Sequence, residues 1–203
     1  GDNLPYVNEG LGPVQQIVCG SYHTCMVMVD GRAMCFGEGS YGRLGNGDTS
    51  DQLTPTEVSG GLRFERLALG DEHSCGIAGE DVYCWGRGRG GRLGLGDYFS
   101  RQAPTRIPWL AGQGVWDIDC GGSSCCALSF RGVACWGSPN YPGDVATLAA
   151  AVVLPQNTEA PARLARQWAV EASLPQSTRN YMCTTSSRGA AGCWGYAGAL
   201  LEL

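Results

Sequence analysis

Gly70-Asp71-Glu72-His73-Ser74-Cys75-Gly76-Ile77-Ala78-Gly79-Glu80-Asp81-Val82-Tyr83-Cys84-Trp85-Gly86 is the stretch that decides the fold, together with the run that follows it, Arg87-Gly88-Arg89-Gly90-Gly91-Arg92-Leu93-Gly94-Leu95-Gly96. Its anchor, a cysteine, an aromatic residue and a glycine, recurs as Cys35-Phe36-Gly37, Cys84-Trp85-Gly86, Cys135-Trp136-Gly137 and Cys193-Trp194-Gly195, at intervals of 49, 51 and 58 residues. A second cysteine precedes each anchor by 9 or 10 positions, at Cys25, Cys75, Cys126 and Cys183. A fixed period of this length is the mark of a repeat architecture in which each copy is one supersecondary unit.

Each cysteine pair frames a β-hairpin. Between Cys75 and Cys84 a two-residue loop, Gly79-Glu80, sets the cysteines opposite each other, and glycine at the first loop position suits a type II′ turn. Between Cys25 and Cys35 a three-residue loop, Val29-Asp30-Gly31, keeps the same register, and Ser187-Arg188-Gly189 does so for Cys183 and Cys193. The hairpin Cys126–Cys135 has no glycine at its tip; Gly132 lies just past it. Directly opposed residues of a non-hydrogen-bonded pair have Cα atoms about 4.5 Å apart, within disulfide reach. Four disulfides are therefore expected, Cys25–Cys35, Cys75–Cys84, Cys126–Cys135 and Cys183–Cys193, each closing a short loop and adding about 2–3 kcal/mol.

After each well-kept anchor comes a glycine-rich run, such as Gly37–Gly47, and then an extended segment with proline, Leu53–Val58 or Ala103–Ile107. Glycine at that density marks turns and close backbone approach, and proline places the extended segment at a sheet edge.

The tandem pattern resembles the regulator of chromosome condensation repeat family. The matching features are Gly-x-x-His-x-Cys (Gly20 to Cys25, Gly70 to Cys75), the Trp-Gly anchors, the Gly-Arg-Leu-Gly-x-Gly runs (Gly42–Gly47, Gly91–Gly96) and the later Pro-x-x-Val/Ile. Two copies match closely, a third in part, and the fourth only around its cysteines. The resemblance implies an all-β fold in which each repeat is one four-stranded blade of a β-propeller. Four blades are expected, over residues 14–58, 64–107, 115–164 and 167–203, closing a small ring or forming part of a larger one. Residues 1–13 form an N-terminal segment, and its Leu4-Pro5-Tyr6-Val7 is a candidate closing strand. In the third copy, Ser138–Glu159 reads as an insertion before an outer strand at Ala160–Leu164. The paired cysteines resemble secreted or surface variants of the family more than its nuclear members.

Composition narrows the function. The chain has 203 residues, 11 cysteines and a formal charge of −5. The acidic balance argues against a nucleic-acid backbone as partner, which needs a basic stripe. Arg87, Arg89 and Arg92 form a local basic cluster and read as a solvated loop. The cysteine usage implies an oxidising compartment, and so a secreted or cell-surface location. Zinc is disfavoured, since the spacing within each pair is not that of a Cys-x2-Cys knuckle. No apolar run approaches the ~20 residues of a membrane helix. No N-glycosylation sequon and no signal peptide are present, the latter suggesting a mature or excised product.

Three cysteines fall outside the hairpin pairs: Cys19, Cys120 and Cys125. Cys19 and Cys120 occupy the same slot two blades apart and read as buried thiols or, in a closed ring, a cross-axis pair. Cys125 reads as the free or inter-chain thiol. His23 and His73 sit at equivalent positions and read as repeat features that hydrogen-bond a neighbouring blade. Asp48 and Asp97 read as turn caps, and Trp85, Trp136 and Trp194 as blade core. Neither a spaced acid pair nor a nucleophile with its base is evident, so no catalytic residue, metal ligand or cofactor is assigned.

The expected function is a non-enzymatic extracellular or surface module that binds a protein partner or self-assembles, with contacts through loop residues such as Asn140, Tyr141 and Asp144. The alternatives are a guanine-nucleotide exchange factor for a small GTPase, as the nuclear members of the family imply, and a lectin- or inhibitor-type binder.

Overall fold

A computed structural model describes Val7, residues 10–137 and the strands at 151–152, 181–185, 191–195 and 201–202. Three successive antiparallel sheets carry the fold. The first has β1 (Val14–Cys19), β2 (His23–Met28), β3 (Ala33–Gly37) and β4 (Gln52–Glu57), in that spatial order. The second has β5 (Arg66–Leu69), β6 (His73–Ala78), β7 (Asp81–Gly86) and β8 (Arg101–Arg106). The third has β9 (Val115–Gly121), β10 (Ser124–Ser129), β11 (Gly132–Gly137) and β12 (Ala151–Val152). A further sheet orders β13 (Tyr181–Thr185), β14 (Ala191–Gly195) and β15 (Leu201–Glu202).

Each blade is a meander, and chain connectivity alone fixes its strand order. Innermost strands of successive blades lie side by side, β1 against β5 and β5 against β9. Side chains join them. The Gln16 amide donates from Nε2 to the Leu67 carbonyl at 3.2 Å and accepts the Leu67 N–H at 2.9 Å. On the next pair, Arg66 Nε meets Asp117 Oδ1 at 2.8 Å.

The hairpin turns set the register. Ala78 faces Asp81 around Gly79-Glu80, with Gly79 at φ 62°. In the first blade, Gly31 at φ 85° donates its N–H to the Met28 carbonyl and closes the three-residue loop. In the third, a two-residue loop, Phe130-Arg131, suffices, because Ser129 Oγ donates to the Gly132 carbonyl and accepts the Arg131 N–H. Prolines 55 and 104 fall in β4 and β8, the outer edges, where their missing N–H costs no ladder bond.

The third blade differs from the expectation at its edge. β12 pairs with β11 through Val133↔Val152 and Ala134↔Ala151, inside the run read as an insertion. Residues 160–164, the expected outer strand, lie outside the described residues, as do residues 4–6 of the candidate closing strand; Val7 sits in a turn.

Two apolar clusters occupy the seams between blades. Cys25, Cys35, Leu44, Phe64, Leu67 and Trp85 pack between the first and second blades. Cys75, Cys84, Leu93, Ile107, Ile118 and Trp136 pack between the second and third. The core thus lies between sheets, and a blade cannot bury its apolar faces without its neighbour.

Candidate functional site: the blade seams

At each seam, an arginine of the Gly-Arg-Leu-Gly run turns inward. Arg43 and Arg92 are 1% and 3% exposed. Arg43 Nε donates to the Ser40 carbonyl at 3.0 Å, and Arg92 Nε to that of Arg89 at 2.8 Å. The tryptophan of the following blade reaches back to the same residue. Trp85 Nε1 donates to the Arg43 carbonyl and Trp136 Nε1 to the Arg92 carbonyl, both at 3.0 Å. Gly45, at φ 72°, must lack a side chain, because a Cβ there would come within 2.6 Å of Trp85 Nε1.

The basic cluster departs from its reading as a solvated loop. Arg87 Nη1 donates to both oxygens of Glu72 at 2.8 and 2.7 Å, and Arg92 Nη1 reaches Glu72 Oε2 at 3.0 Å. Burial pushes the Glu72 carboxyl up, but hydrogen bonding from Arg87 and the charges of Arg87, Arg92 and Arg43 outweigh it and hold the carboxyl below its usual range. Of the three, Arg89 is the one exposed at the loop surface, its carbonyl accepting from Arg92 Nε.

Above this knot lies an open cleft of about 610 Å³, lined by Glu38, Tyr41, Glu72, Ser100 and Gln102 among others. Tyr41 is a non-glycine residue at φ 63°, at the position Gly90 holds in the second blade with φ 74°. Tyr41 is 41% exposed, with the Arg87 guanidinium 4.6 Å from its ring centroid and that of Arg43 at 5.9 Å.

The repeated histidines bridge the blades. Ser74 Oγ donates to the Arg43 carbonyl at 2.8 Å, so it accepts from His23 Nε2, also at 2.8 Å. His73 Nε2 lies 3.0 Å from Cys125 Sγ. The Nδ1 atoms of both rings are buried without a hydrogen-bond partner among the described residues. Desolvation first, then the Arg43 charge, lowers the His23 pKa to about 3. His73 is held well below its ordinary value by burial, then by Arg92 and His23. Both rings are neutral at pH 7. The acids at the loop tips act as caps: Asp48 Oδ1 accepts the N–H groups of Thr49 and Ser50, and Asp97 Oδ1 accepts that of Phe99.

Disulfides join Cys25–Cys35, Cys75–Cys84 and Cys126–Cys135, with Cα separations of 4.1, 4.1 and 4.0 Å. Register places Cys183 opposite Cys193, and their side chains lie outside the described residues. The remaining cysteines require a correction. Cys120 and Cys125, read as unpaired, form a disulfide across β9 and β10, where they are direct partners at a Cα separation of 4.0 Å. A tight turn at Gly121–Ser123 makes them opposite, as Cys19 is opposite Thr24 in the first blade. No cross-axis pair forms, because Cys19 is exposed on β1 with a free thiol instead of buried. Alkylation of the unreduced, denatured chain is expected to label Cys19 alone, if Cys183 and Cys193 are joined as their register allows; label on Cys120 or Cys125 would contradict the pairing. Asn140, Tyr141 and Asp144 lie outside the described residues.

Successive four-stranded meanders, joined inner strand to inner strand and latched by a tryptophan from the following blade, define a β-propeller repeat protein. The family profile "Regulator of chromosome condensation (RCC1) repeat" matches residues 30–77 and 80–128, and a second profile of the same description matches residues 14–43. The chain belongs to the regulator of chromosome condensation repeat family. Over 134 residues, 63% of this chain and 3% of the relative, it is 37% identical to the human E3 ubiquitin-protein ligase HERC2. To the ultraviolet-B receptor UVR8 of Arabidopsis thaliana it is 35% identical over 73 residues, 34% of this chain and 17% of the receptor. Among solved structures, human WBSCR16 superposes with a TM-score of 0.65 at 20% identity, over 91% of this chain and 48% of that one. A structure of Kap60 bound to yeast RCC1 (Prp20) gives 0.66 at 18% identity, over 91% and 42%. The chain thus spans less than half the length of these relatives, and the structural likenesses establish the fold.

Proposed function

We propose that this chain is a non-enzymatic protein-binding module that works in an oxidising, extracellular or cell-surface setting and engages its partner through the cleft at the first seam. The observation that carries the reading is Tyr41. A left-handed backbone costs a non-glycine residue about 1–2 kcal/mol, and the second blade avoids that cost with Gly90. What the first blade gains is an exposed aromatic ring braced by two guanidinium groups. Aromatic residues and arginine are the side chains that anchor protein interfaces. Cross-strand disulfides in three hairpins support the oxidising setting, since such bonds persist where thiols are not kept reduced.

Tyr41→Gly separates binding from stability. Glycine accepts φ 63° freely, so the variant is expected to melt no lower than the parent. Proteins retained on the immobilised parent chain and quantified by mass spectrometry are expected to fall at least about tenfold on the variant, a loss of 1.4 kcal/mol or more. Equal retention on both would place the interface elsewhere. Stimulated nucleotide release from a small GTPase would instead favour the exchange-factor alternative.

A further inference from the structure

At the second seam two facing slots of the repeat both carry cysteine, where the first blade has Cys19 facing Thr24, and both sulfurs converge on one point. Cys125 stands where the second blade has Ser74, and Cys120 where it has Leu69. Cys125 Sγ lies 3.5 Å from Cys75 Sγ of the preceding blade and 3.0 Å from His73 Nε2. The ligand atoms of His73, Cys75, Cys120 and Cys125 all lie within 4.8 Å of one another. We propose that, once its two disulfides are reduced, this cluster is a Cys3His site for a soft divalent cation of the zinc type, tying the second blade to the third.

The geometry fits. A tetrahedral zinc with Zn–S bonds of about 2.3 Å sets its sulfur ligands roughly 3.7 Å apart. The Cys75–Cys125 contact at 3.5 Å is already near that spacing. Only Cys120 and Cys125, bonded to each other when oxidised, must separate, which side-chain rotation on two facing strands permits. His73, Cys75 and Cys125 are buried, so the site excludes water, while the partly exposed Cys120 opens it to an entering ion. The set is closed at four ligands, as structural zinc sites are. Cys84, released from Cys75, remains as a small buried thiol in the seam cluster.

The balance is complete. Each disulfide takes two electrons from a phosphine and two protons from water, whose oxygen leaves on the phosphine oxide, and yields two thiols. Zinc then displaces the protons of Cys75, Cys120 and Cys125, leaving a site of charge −1 with neutral His73. The buried Arg92, whose charge is felt at His73, offsets that negative charge. The metal-bound state belongs to a reducing medium; in the oxidising setting of the proposed function the same sulfurs are held in two disulfides, each within one blade.

The test uses the full chain, reduced anaerobically with a phosphine that ends as its oxide, then titrated with cobalt(II) as the probe. The expected result is one cobalt per chain with thiolate-to-metal charge transfer and the intense visible bands of tetrahedral coordination, displaced by zinc. Cys125→Ser is expected to weaken cobalt binding at least 100-fold, whereas Cys19→Ser and the double variant Cys183→Ser/Cys193→Ser keep it. X-ray absorption of the zinc-loaded parent chain, which needs no variant to fold, should show three sulfurs and one nitrogen. The proposal is overturned if the reduced chain binds cobalt only through oxygen and nitrogen, or if Cys125→Ser binds as the parent does.

Discussion

Replacing Trp85 with alanine is expected to destabilise the chain by about 3–5 kcal/mol, the usual cost of removing a large buried aromatic. Trp85 is fully buried, packs 5.6 Å from Phe64 centroid to centroid, and covers Gly45 of the preceding blade. It fills the first seam and leaves a cavity that rigid sheets on both sides cannot close. For a chain of this size such a loss lowers the melting temperature by about 6–20 °C. Trp85→Phe isolates the hydrogen bond. The Arg43 carbonyl keeps the Ser74 hydroxyl as donor, so no buried acceptor is orphaned and the cost should be about 1 kcal/mol beyond lost packing. Gly45→Ala is expected to be severe in the parent, where its Cβ meets the indole, and milder in the Trp85→Ala background, where only the backbone cost at φ 72° remains. Melting curves of the four chains decide it. Additive losses would mean that the indole and Gly45 do not form one latch.

The contrast between what this latch needs and what a sequence displays explains which features were readable. Hairpins at Cys25–Cys35 and Cys75–Cys84 could be placed to the residue because turn length and cysteine interval are local quantities that change together. The Cys120–Cys125 bond was equally local. Its signal was the pair Cys19 and Thr24, which a turn of the same length sets face to face in the first blade. Repeat slots align Cys120 with Cys19, but cross-strand register, not slot equivalence, sets which sulfurs meet. Arg87 and Arg92 were misread for a different reason. Nothing near them in the chain reveals that Glu72, 15 and 20 residues earlier, lies against them across the blade. Pairwise spacing also hid the sulfur cluster, because its four residues come from β6, β9 and β10 on two blades. At β12, the Ala-Val sequence lacks the alternation that marks a half-buried strand, so only pairing with β11 reveals it.

Acidification is the second large effect. Lowering the pH from 6 to 4.5 is expected to cost the native state about 2 kcal/mol. His23, at about 3, and His73, lower than its ordinary value by burial, stay neutral when folded. In the unfolded chain each takes a proton near pH 6.5. Below that pH the unfolded state therefore binds two protons that the native state does not, and stability falls as the pH falls, by up to about 1.4 kcal/mol per unit for each ring. Asp119 acts in the opposite sense. Burial first, then the Asp117 charge, raises it to about 6, so below pH 6 the native state holds a proton that the unfolded chain releases until near pH 4. One ring is thereby offset, and Asp117, also raised, leans the same way. Glu72, held low by its arginines, adds its own loss only as the unfolded carboxyl begins to protonate near pH 4.5. Asp119→Asn removes the offset and should nearly double the slope between pH 6 and 4.5. Urea midpoints of parent and variant at half-unit intervals measure both slopes. A parent curve that is flat across this window would show that the two rings take up protons without unfolding the seams they bridge.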